Sequence, residues 1–399
     1  MNILFVSQGN INQPRGGAGN RAHYLAYYLQ QLGNNMIVVE PGDQSNKRST
    51  DGFSICRYFG TIGKRSFCSF CDINPFFILK LLALLIGQEI DLIHVELPWG
   101  VSSAKVLTML LRKDIPVVYN SQNLQKNVQA DVKKHFRESD RSSFEDLFIS
   151  TLQSHYTNII EKLAVKLSDL VLCVSSDDAG LFVSEYATSP TKLKVVPNGT
   201  DCQKINAAVR DRTKYGLDDT KTAVVFHGHY EYPPNTEAIG LIENVIAPAV
   251  QKDHADVQFV IAGAETARTC THPQIICLGY VEDIYSLLKS CDIAIAPMIR
   301  GGGTRLKILD YLGAGLPVIA TKKGVEGIDL VSGDDALVVN NVDNEFIHAL
   351  TYLMGDKDER KRIGKNAAAL AKEYDWARIG YRLDRLYKNL LQKSGKPNT

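Results

Sequence analysis

The sequence predicts an α/β protein built from two Rossmann-like, doubly wound parallel-sheet domains facing across a cleft. Three observations carry that expectation. Short apolar runs alternate with helical stretches through the first half of the chain. The alternation starts afresh after the turn-rich segment Val195-Val-Pro-Asn-Gly-Thr-Asp201. At 399 residues the chain is long enough for about two cores of the usual ~100–200 residues each.

In the first half, strands are expected over 3–7, 36–40, 92–96, 117–120 and 170–175, with helices over 21–32, 75–86, 102–111 and 159–167. Strands separated by helices require right-handed crossovers, which cover both faces of a parallel sheet. In the second half, strands are expected over 223–227, 258–262, 275–278, 293–297, 318–321 and 336–339, and helices over 236–245, 284–289, 304–313, 345–354 and 359–371. A hinge is placed near 198–220. The closing segment from Trp376 to Leu391 spaces Ile379, Leu383, Leu386 and Leu390 as one face of an amphipathic helix. In sheets of this kind ligands bind beyond the carboxyl ends of the strands, so the chemistry is sought in the loops that follow them.

Bulk composition narrows the function. A net charge of +1, with 45% hydrophobic and 22% charged residues, describes a soluble globular protein without the basic excess of a nucleic-acid binder. The opening Met-Asn-Ile-Leu-Phe-Val-Ser enters a strand pattern with no charged leader, so a cytoplasmic protein is expected. The apolar run from Pro75 to Gly87 contains Lys80 and falls short of the ~20 residues needed to span a bilayer. It reads either as a buried helix or, with Lys64 and Arg65 close by, as a peripheral membrane contact. Eight cysteines in so long a chain make no disulfide scaffold, and Cys173, Cys277 and Cys291 sit in apolar contexts where reduced thiols are expected. Cys68 and Cys71 have the spacing of half a zinc site, but no second half follows and no metal is expected.

The most informative motif is Arg300-Gly-Gly-Gly-Thr-Arg-Leu-Lys-Ile-Leu-Asp310, which follows an apolar strand. Glycines let backbone approach an anion, a helix start offers unpaired N–H groups, and Arg305 and Lys307 add charge. The segment is either a diphosphate cradle or an ordinary glycine turn with solvated basic residues. Gly16-Gly-Ala-Gly19, flanked by Arg15 and Arg21, follows the first strand, and Ala22 stands where a dinucleotide fingerprint would have its third glycine. It is either an anion-facing loop or a plain strand-to-helix turn. Phe226-His-Gly-His-Tyr-Glu-Tyr-Pro-Pro-Asn-Thr-Glu237 puts His227, Gly228 and His229 at a strand tip, with Asn235 opening the next helix. Leu278-Gly-Tyr-Val-Glu-Asp283 offers exposed backbone to a nucleotide base, or is simply a helix entry capped by Asp283.

Together with Glu161–Ser175, Val196–Asp201 and the segment 119–125, these motifs resemble those of glycosyltransferases of the two-Rossmann-domain (GT-B) type. The resemblance is to glycosyltransferase family 4 in particular, in a subgroup with a Gly-Gly-Gly-Thr-Arg-Leu-Lys run, and it covers nearly the whole chain. It implies a retaining transferase without metal or cofactor, moving sugar from a nucleotide-sugar donor (UDP- or GDP-linked) to a glycan, lipid-linked or other hydroxyl acceptor. It implies an acceptor-side domain over 1–205 plus 375–399 and a donor domain over 206–374. Carried over by position, Gly302, Gly303, Thr304, Asp310, His227, Gly228, Tyr280 and Val281 bind the donor, with Asp310 on the ribose. Arg305, Lys307, Gln122 and His94 are the implied catalytic groups, and Gly16, Gly17 and Arg21 the acceptor or phosphate loop. His94 stands either near a strand tip or as a satisfied buried histidine. Three departures stand out: Gly302 and Asp310 where two glutamates are frequent, Gln122 where a histidine would stand, and Gln125 where a glutamate would stand. Neutral amides at 122 and 125 leave open a partner subunit that binds nucleotide sugar without transferring it.

Overall fold

The structure is a computed structural model, described over residues 1–14, 16–42, 47–50, 52–62, 65–66, 68–128, 144–252, 254–264, 272 and 274–393. Arg15 and Lys64 lie outside the described residues, as do the side chains of Arg65 and Cys68. The chain divides into two compact units, Met1–Pro197 with Ile379–Thr399, and Asn198–Arg378.

The first unit holds an eight-stranded sheet. Its strands are β1 (Asn2–Val6), β2 (Asn35–Gly42), β3 (Lys47–Thr50), β4 (Phe53–Phe59), β7 (Leu92–Glu96), β8 (Val117–Asn120), β9 (Leu170–Cys173) and β10 (Leu193–Val195). β5 (Thr61–Ile62) and β6 (Arg65–Ser66) form a separate two-stranded pair. The sheet order is β10-β9-β8-β7-β1-β2-β4-β3, parallel throughout except that β3 runs antiparallel on β4. Val6, Val39, Val95 and Tyr119 are sealed, because helices cover both faces and every position of a central parallel strand must be apolar or internally paired.

The second unit holds six parallel strands, β11 (Thr222–His227), β12 (Val257–Ala262), β13 (Ile275–Gly279), β14 (Ile293–Ala296), β15 (Val318–Thr321) and β16 (Leu337–Val339). Their order is β13-β12-β11-β14-β15-β16. In each sheet the chain builds outward from its first strand on one side and then returns to build on the other. The reversal falls between β1 and β7 in the first unit and between β11 and β14 in the second. Loops leaving the carboxyl ends of those two strands diverge to opposite faces and open a crevice between them.

Several elements differ from the sequence expectation. The helix expected over 159–167 spans Phe144–Leu167. β4 and the Ser176–Tyr186 helix were not anticipated, although Ser175 accepts from the Asp178 N–H as an N-cap and Asp177 and Asp178 occupy the first turn. The helix after β11 begins at Pro233 and widens into a π-turn at Ile242–Ile246, next to Pro248, which has no N–H to donate. On the closing helix, Trp376–Lys393, the buried stripe is Ile379, Leu383, Tyr387 and Leu391, while Leu386 and Leu390 are only half-buried. Gly380 lets the helix approach Tyr28 closely: a Cβ there would come within 2.4 Å of the Tyr28 Cβ. The expected free thiol at Cys277 is also corrected: it is disulfide-bonded, on half-buried edge strand β13, whereas enclosed Cys173 and Cys291 are free.

Candidate functional site

Each unit places a cluster of polar side chains at its own reversal point. In the first unit a pocket of about 350 Å³ opens above β1 and β7, lined by Ser7–Ile11 and Gln13 after β1, by Glu96 and Leu97 at the end of β7, and by Gln122 after β8. Glu40, fully buried, fixes the loop after β1 by accepting from the Ile11 N–H at 2.9 Å and from Arg57 Nε at 2.8 Å. Leu97 takes a left-handed backbone (φ 65°), a conformation that costs a leucine about 1–2 kcal/mol, so the bend that opens the pocket is a strained one.

Beneath the pocket runs a buried polar network. Glu96 Oε1 accepts from Asn120 Nδ2 at 2.8 Å and pairs with His94 Nε2 at 2.9 Å, and Glu96 Oε2 accepts from Gln122 Nε2 at 2.7 Å. His94 Nδ1 bonds the Tyr387 hydroxyl, and the ring stacks on Phe5 at 4.3 Å. Burial opposes the charge on Glu96, but hydrogen bonds and charges from His94, Arg21 and Gln122 prevail and hold its carboxyl below the ordinary value. His94 is therefore the satisfied buried histidine of the two sequence readings. It is fully enclosed, with its two nitrogens engaged by Tyr387 and Glu96.

Arg21 is likewise turned inward rather than toward a phosphate loop. Its guanidinium donates to Asn120 Oδ1 at 2.9 Å and to the carbonyls of Val196 at 2.8 Å and Pro197 at 2.9 Å, and burial lowers its pKa to about 10. Gly16 and Gly17 are exposed and open the Gly16–Gln31 helix, with Gly16 left-handed at φ 67°. The 121–126 segment is tied down by Glu161, a buried carboxylate that accepts from the N–H groups of Gln125 at 2.8 Å and Lys126 at 3.0 Å and from the hydroxyls of Tyr119 and Tyr186.

In the second unit the tip of β11 meets the loop after β14. Gly228 leaves no room for a side chain unless its neighbours move: a Cβ there would lie 2.7 Å from both Asn235 Nδ2 and Lys307 Nζ. Lys307 donates to Asn235 Oδ1 at 2.7 Å and sits 4.1 Å above the Phe226 ring, and Asn235 in turn donates to the His229 carbonyl at 2.8 Å. Burial, then the charge of Arg305, push the Lys307 ammonium well below the ordinary lysine value. His227 is held down at about 3 by burial and by Lys307, so its imidazole is neutral, and its buried Nε2 has no hydrogen-bond partner among the described residues.

The helix expected from Thr304 begins at Leu306, because Arg305 is extended (φ −89°, ψ 113°). Gly301 (φ 97°) and Gly303 (φ 75°) take the left-handed turns that bring the loop into the helix, and Gly302 is exposed. Arg305 spends its guanidinium on that loop, donating to the carbonyls of Arg300 (3.0 Å), Gly301 (3.1 Å) and Gly303 (3.3 Å). Lys307 is thus the cation set between the β11 tip and the helix start, and Arg305 is the brace of the turn. Thr304 is buried, and its carbonyl accepts from Asn198 at 3.2 Å.

Asp310 lies one turn along the helix. Its Oδ1 accepts from Thr200 Oγ1 at 2.6 Å, and burial raises its pKa to about 7 despite the Thr200 bond and a further one from Tyr285. Tyr280 follows β13 with its side chain exposed, and Val281 packs half-buried on the core. Glu96 and Gln8 were not singled out from sequence, and Asn235 was named only as opening a helix. The available signal was position: Glu96 ends β7, Gln8 stands two residues past β1, and Asn235 lies in the first turn of the helix after β11, all beside a reversal point.

Two sequence profiles match the chain, Glycosyltransferase Family 4 over residues 15–204 and Glycosyl transferases group 1 over residues 221–356. The chain belongs to the family-4-like group 1 glycosyltransferases. Among relatives of this glycosyltransferase, UDP-Gal:alpha-D-GlcNAc-diphosphoundecaprenol alpha-1,3-galactosyltransferase of Escherichia coli is 25% identical over 226 residues. That match covers 50% of this chain and 54% of the relative. A phosphatidyl-myo-inositol mannosyltransferase of Propionibacterium freudenreichii subsp. shermanii is 22% identical over 403 residues, covering 97% of this chain and 94% of that one. Among solved structures, Anabaena Alr3699/HepE in complex with UDP and glucose superposes with a TM-score of 0.69 at 17% identity, covering 97% of this chain and 99% of that one. The glycosyltransferase shares the GT-B fold.

Proposed function

We propose that the chain is a retaining glycosyltransferase that needs no metal and moves a sugar from a UDP- or GDP-sugar to a hydroxyl of a glycan or lipid-linked acceptor. The observation that carries the reading is the Lys307 ammonium, held by Asn235 behind Gly228 at the reversal between β11 and β14, beside the start of the Leu306–Gly313 helix. A cation and open helix-start amides at one place favour a diphosphate, and they stabilise it most as it leaves with added charge. Asp310 is the group for the ribose, accepting from its hydroxyls in place of Thr200 and Tyr285. The relatives support the substrate class: one is named for a UDP-galactose donor with a diphosphoundecaprenol acceptor, another for phosphatidyl-myo-inositol, and HepE was solved with UDP and glucose.

In the reaction the bond from the anomeric carbon to the diphosphate oxygen breaks, and a bond from that carbon to the acceptor oxygen forms on the same face. The acceptor's proton passes to the departing diphosphate, so no protein base is required; the neutral amide at Gln122 is compatible with that route. Lys307 offsets the charge gathering on the leaving group, and Arg305 keeps the 300–303 turn in shape.

The acceptor-side unit supports a peripheral membrane contact. Ile73 and, on the Pro75–Gly87 helix, Phe76, Leu79 and Ile86 are each more than half exposed. Among the described residues no helix is long and apolar enough to cross a membrane.

The test is nucleoside diphosphate release from a panel of nucleotide sugars, with chelator, for the native chain and for Lys307→Ala. Release with one donor that collapses in the variant supports transfer. Donor binding without release for any sugar would instead favour the partner-subunit reading, in which the neutral amides at 122 and 125 mark lost transfer.

A further inference from the structure

The chain passes between its two units twice, after Pro197 and after Arg378, and the segments beside those crossings pair with each other inside the second unit. The Thr200 N–H donates to the Tyr374 carbonyl at 2.9 Å, and the Thr200 carbonyl accepts from the Trp376 N–H at 3.1 Å, forming a parallel bridge to Asp375. The side chains of the first segment are committed as well. Asn198 Nδ2 donates to the Thr304 carbonyl at 3.2 Å, just before the Leu306–Gly313 helix, and Thr200 Oγ1 donates to Asp310 Oδ1 at 2.6 Å, on that helix. Gly313 allows the helix this close: a Cβ there would lie 2.7 Å from Ile205 Cδ1 and 3.3 Å from Thr200 Cγ2. Thr200 is only 1% exposed, whereas Asp310 keeps part of its surface open.

We infer that Thr200 is a latch on the donor site: without nucleotide it holds the carboxylate that a ribose diol uses, and nucleotide binding releases it and loosens the pairing of the two joining segments. The inference rests on the reading of Asp310 as the ribose group and adds what that group does when no donor is bound. A vicinal diol presents two O–H donors and grips a carboxylate through both oxygens. In the structure one of those oxygens is held by Thr200, and Tyr285 bonds the carboxyl besides. A short bond to an ionised acceptor is a strong one, so a ribose that takes Oδ1 has to displace it. Thr200 then keeps only its two backbone bonds to the 374–376 segment. The coupling is reciprocal: to the extent that nucleotide weakens the bridge, the bridge weakens nucleotide binding. Thr200 is thus a positioning residue, acting on the donor through Asp310.

Hydrogen–deuterium exchange on the full chain reads the Thr200 and Trp376 amides in three states: free, saturated with UDP or GDP, and saturated with the 2′,3′-dideoxy form of the same diphosphate. Calorimetry gives the affinities alongside. The ribose nucleotide is expected to speed exchange at both amides about tenfold, the effect of losing one hydrogen bond to a charged group, and the dideoxy form to leave them as in the free chain. Thr200→Val is expected to bind the ribose nucleotide about tenfold more tightly than native, with both amides already fast, and Thr200→Ser, which keeps the hydroxyl, to match native. Exchange unmoved by the ribose nucleotide, or sped equally by the dideoxy form, would overturn the latch, as would a folded Thr200→Val protein that binds no more tightly. Binding of neither diphosphate, or equal affinity for ribose and dideoxy forms, counts against the donor reading of Asp310 and takes the latch with it. A clear preference for ribose alongside unmoved exchange counts against the latch alone.

Discussion

Replacing Gly228 by alanine adds a single methyl group, and the structure says what that group must displace. The new carbon would lie 2.7 Å from Asn235 Nδ2, 2.7 Å from Lys307 Nζ and 2.8 Å from Asn235 Cγ, all closer than carbon is normally found. Lys307 can swing its long chain aside. Asn235 cannot, because it is buried, donates to the His229 carbonyl and sits in the first turn of the Pro233–Leu241 helix. The methyl group therefore breaks the Lys307–Asn235 bond and pushes the ammonium away from the β11 tip. Overpacking of this size costs about 1–3 kcal/mol, and the lost hydrogen bond about 1 more, so a measurable fall in Tm accompanies the change. If Lys307 meets the donor diphosphate, the displaced charge removes a contact worth about 1.5–3 kcal/mol, a drop in UDP affinity of roughly 10- to 100-fold. Calorimetric titration with UDP and GDP, beside a thermal melt, reads both quantities. A Gly228→Ala protein that binds its nucleotide within about twofold of native would refute the placement of Lys307 at the diphosphate, given that a twofold change corresponds to only ~0.4 kcal/mol. Gly263→Ala is the contrasting case: its Cβ would meet the Gly228 carbonyl at 2.0 Å with φ at 139°, and that protein is expected not to accumulate folded.

Other consequences follow from the same geometry. Because burial holds Lys307 well below the ordinary lysine value, donor binding should draw a proton onto it. Across a pH series the calorimetric enthalpy should vary with buffer ionisation enthalpy in the sense of uptake toward the alkaline end, and a flat dependence throughout would count against a Lys307–diphosphate contact. Asp310, raised from 3.8 to about 7, keeps in the folded state a proton that the unfolded chain releases. Its contribution to stability is therefore full below about pH 4 and lost as pH rises through 7, by up to about 4 kcal/mol. Asp310→Asn should flatten the melting profile across that window, and an unchanged slope would show the carboxyl to be less enclosed than the structure makes it. Leu79→Glu with Ile86→Glu should reduce co-sedimentation with anionic phospholipid vesicles and leave soluble nucleoside diphosphate release intact, whereas undiminished co-sedimentation would remove the membrane contact.

How far the sequence could be read depended on whether a property was local. Strands β1, β7, β11, β12 and β14 are short apolar runs buried on both faces, and the run length and its punctuation announce them. β4 mixes Ser54 and Arg57 among its buried residues, and its Arg57 pairs with Glu40 on β2, a partner not visible in the run itself. The family was legible because glycine placement and strand-end motifs are local too. Which cation of the motif braces its own loop was not. Arg305 and Lys307 are two residues apart, and the loop carbonyls around the one and Asn235 beside the other tell them apart.

Arg21 shows the limit most clearly. Next to glycines at a helix start, an arginine reads as an anion contact, and nothing within ten residues says otherwise. Its partners are Asn120 and the carbonyls of 196 and 197, about 100 and 175 positions away, brought to it because β8 and β10 lie in the same sheet. Burying that charge is tolerable only with the donors matched to acceptors, and Glu96 in the same network supplies an opposite charge. The positive charge of Arg21 is in fact spent inside the protein. The pocket above is lined by the Glu96 carboxylate and the amides of Gln8 and Gln122.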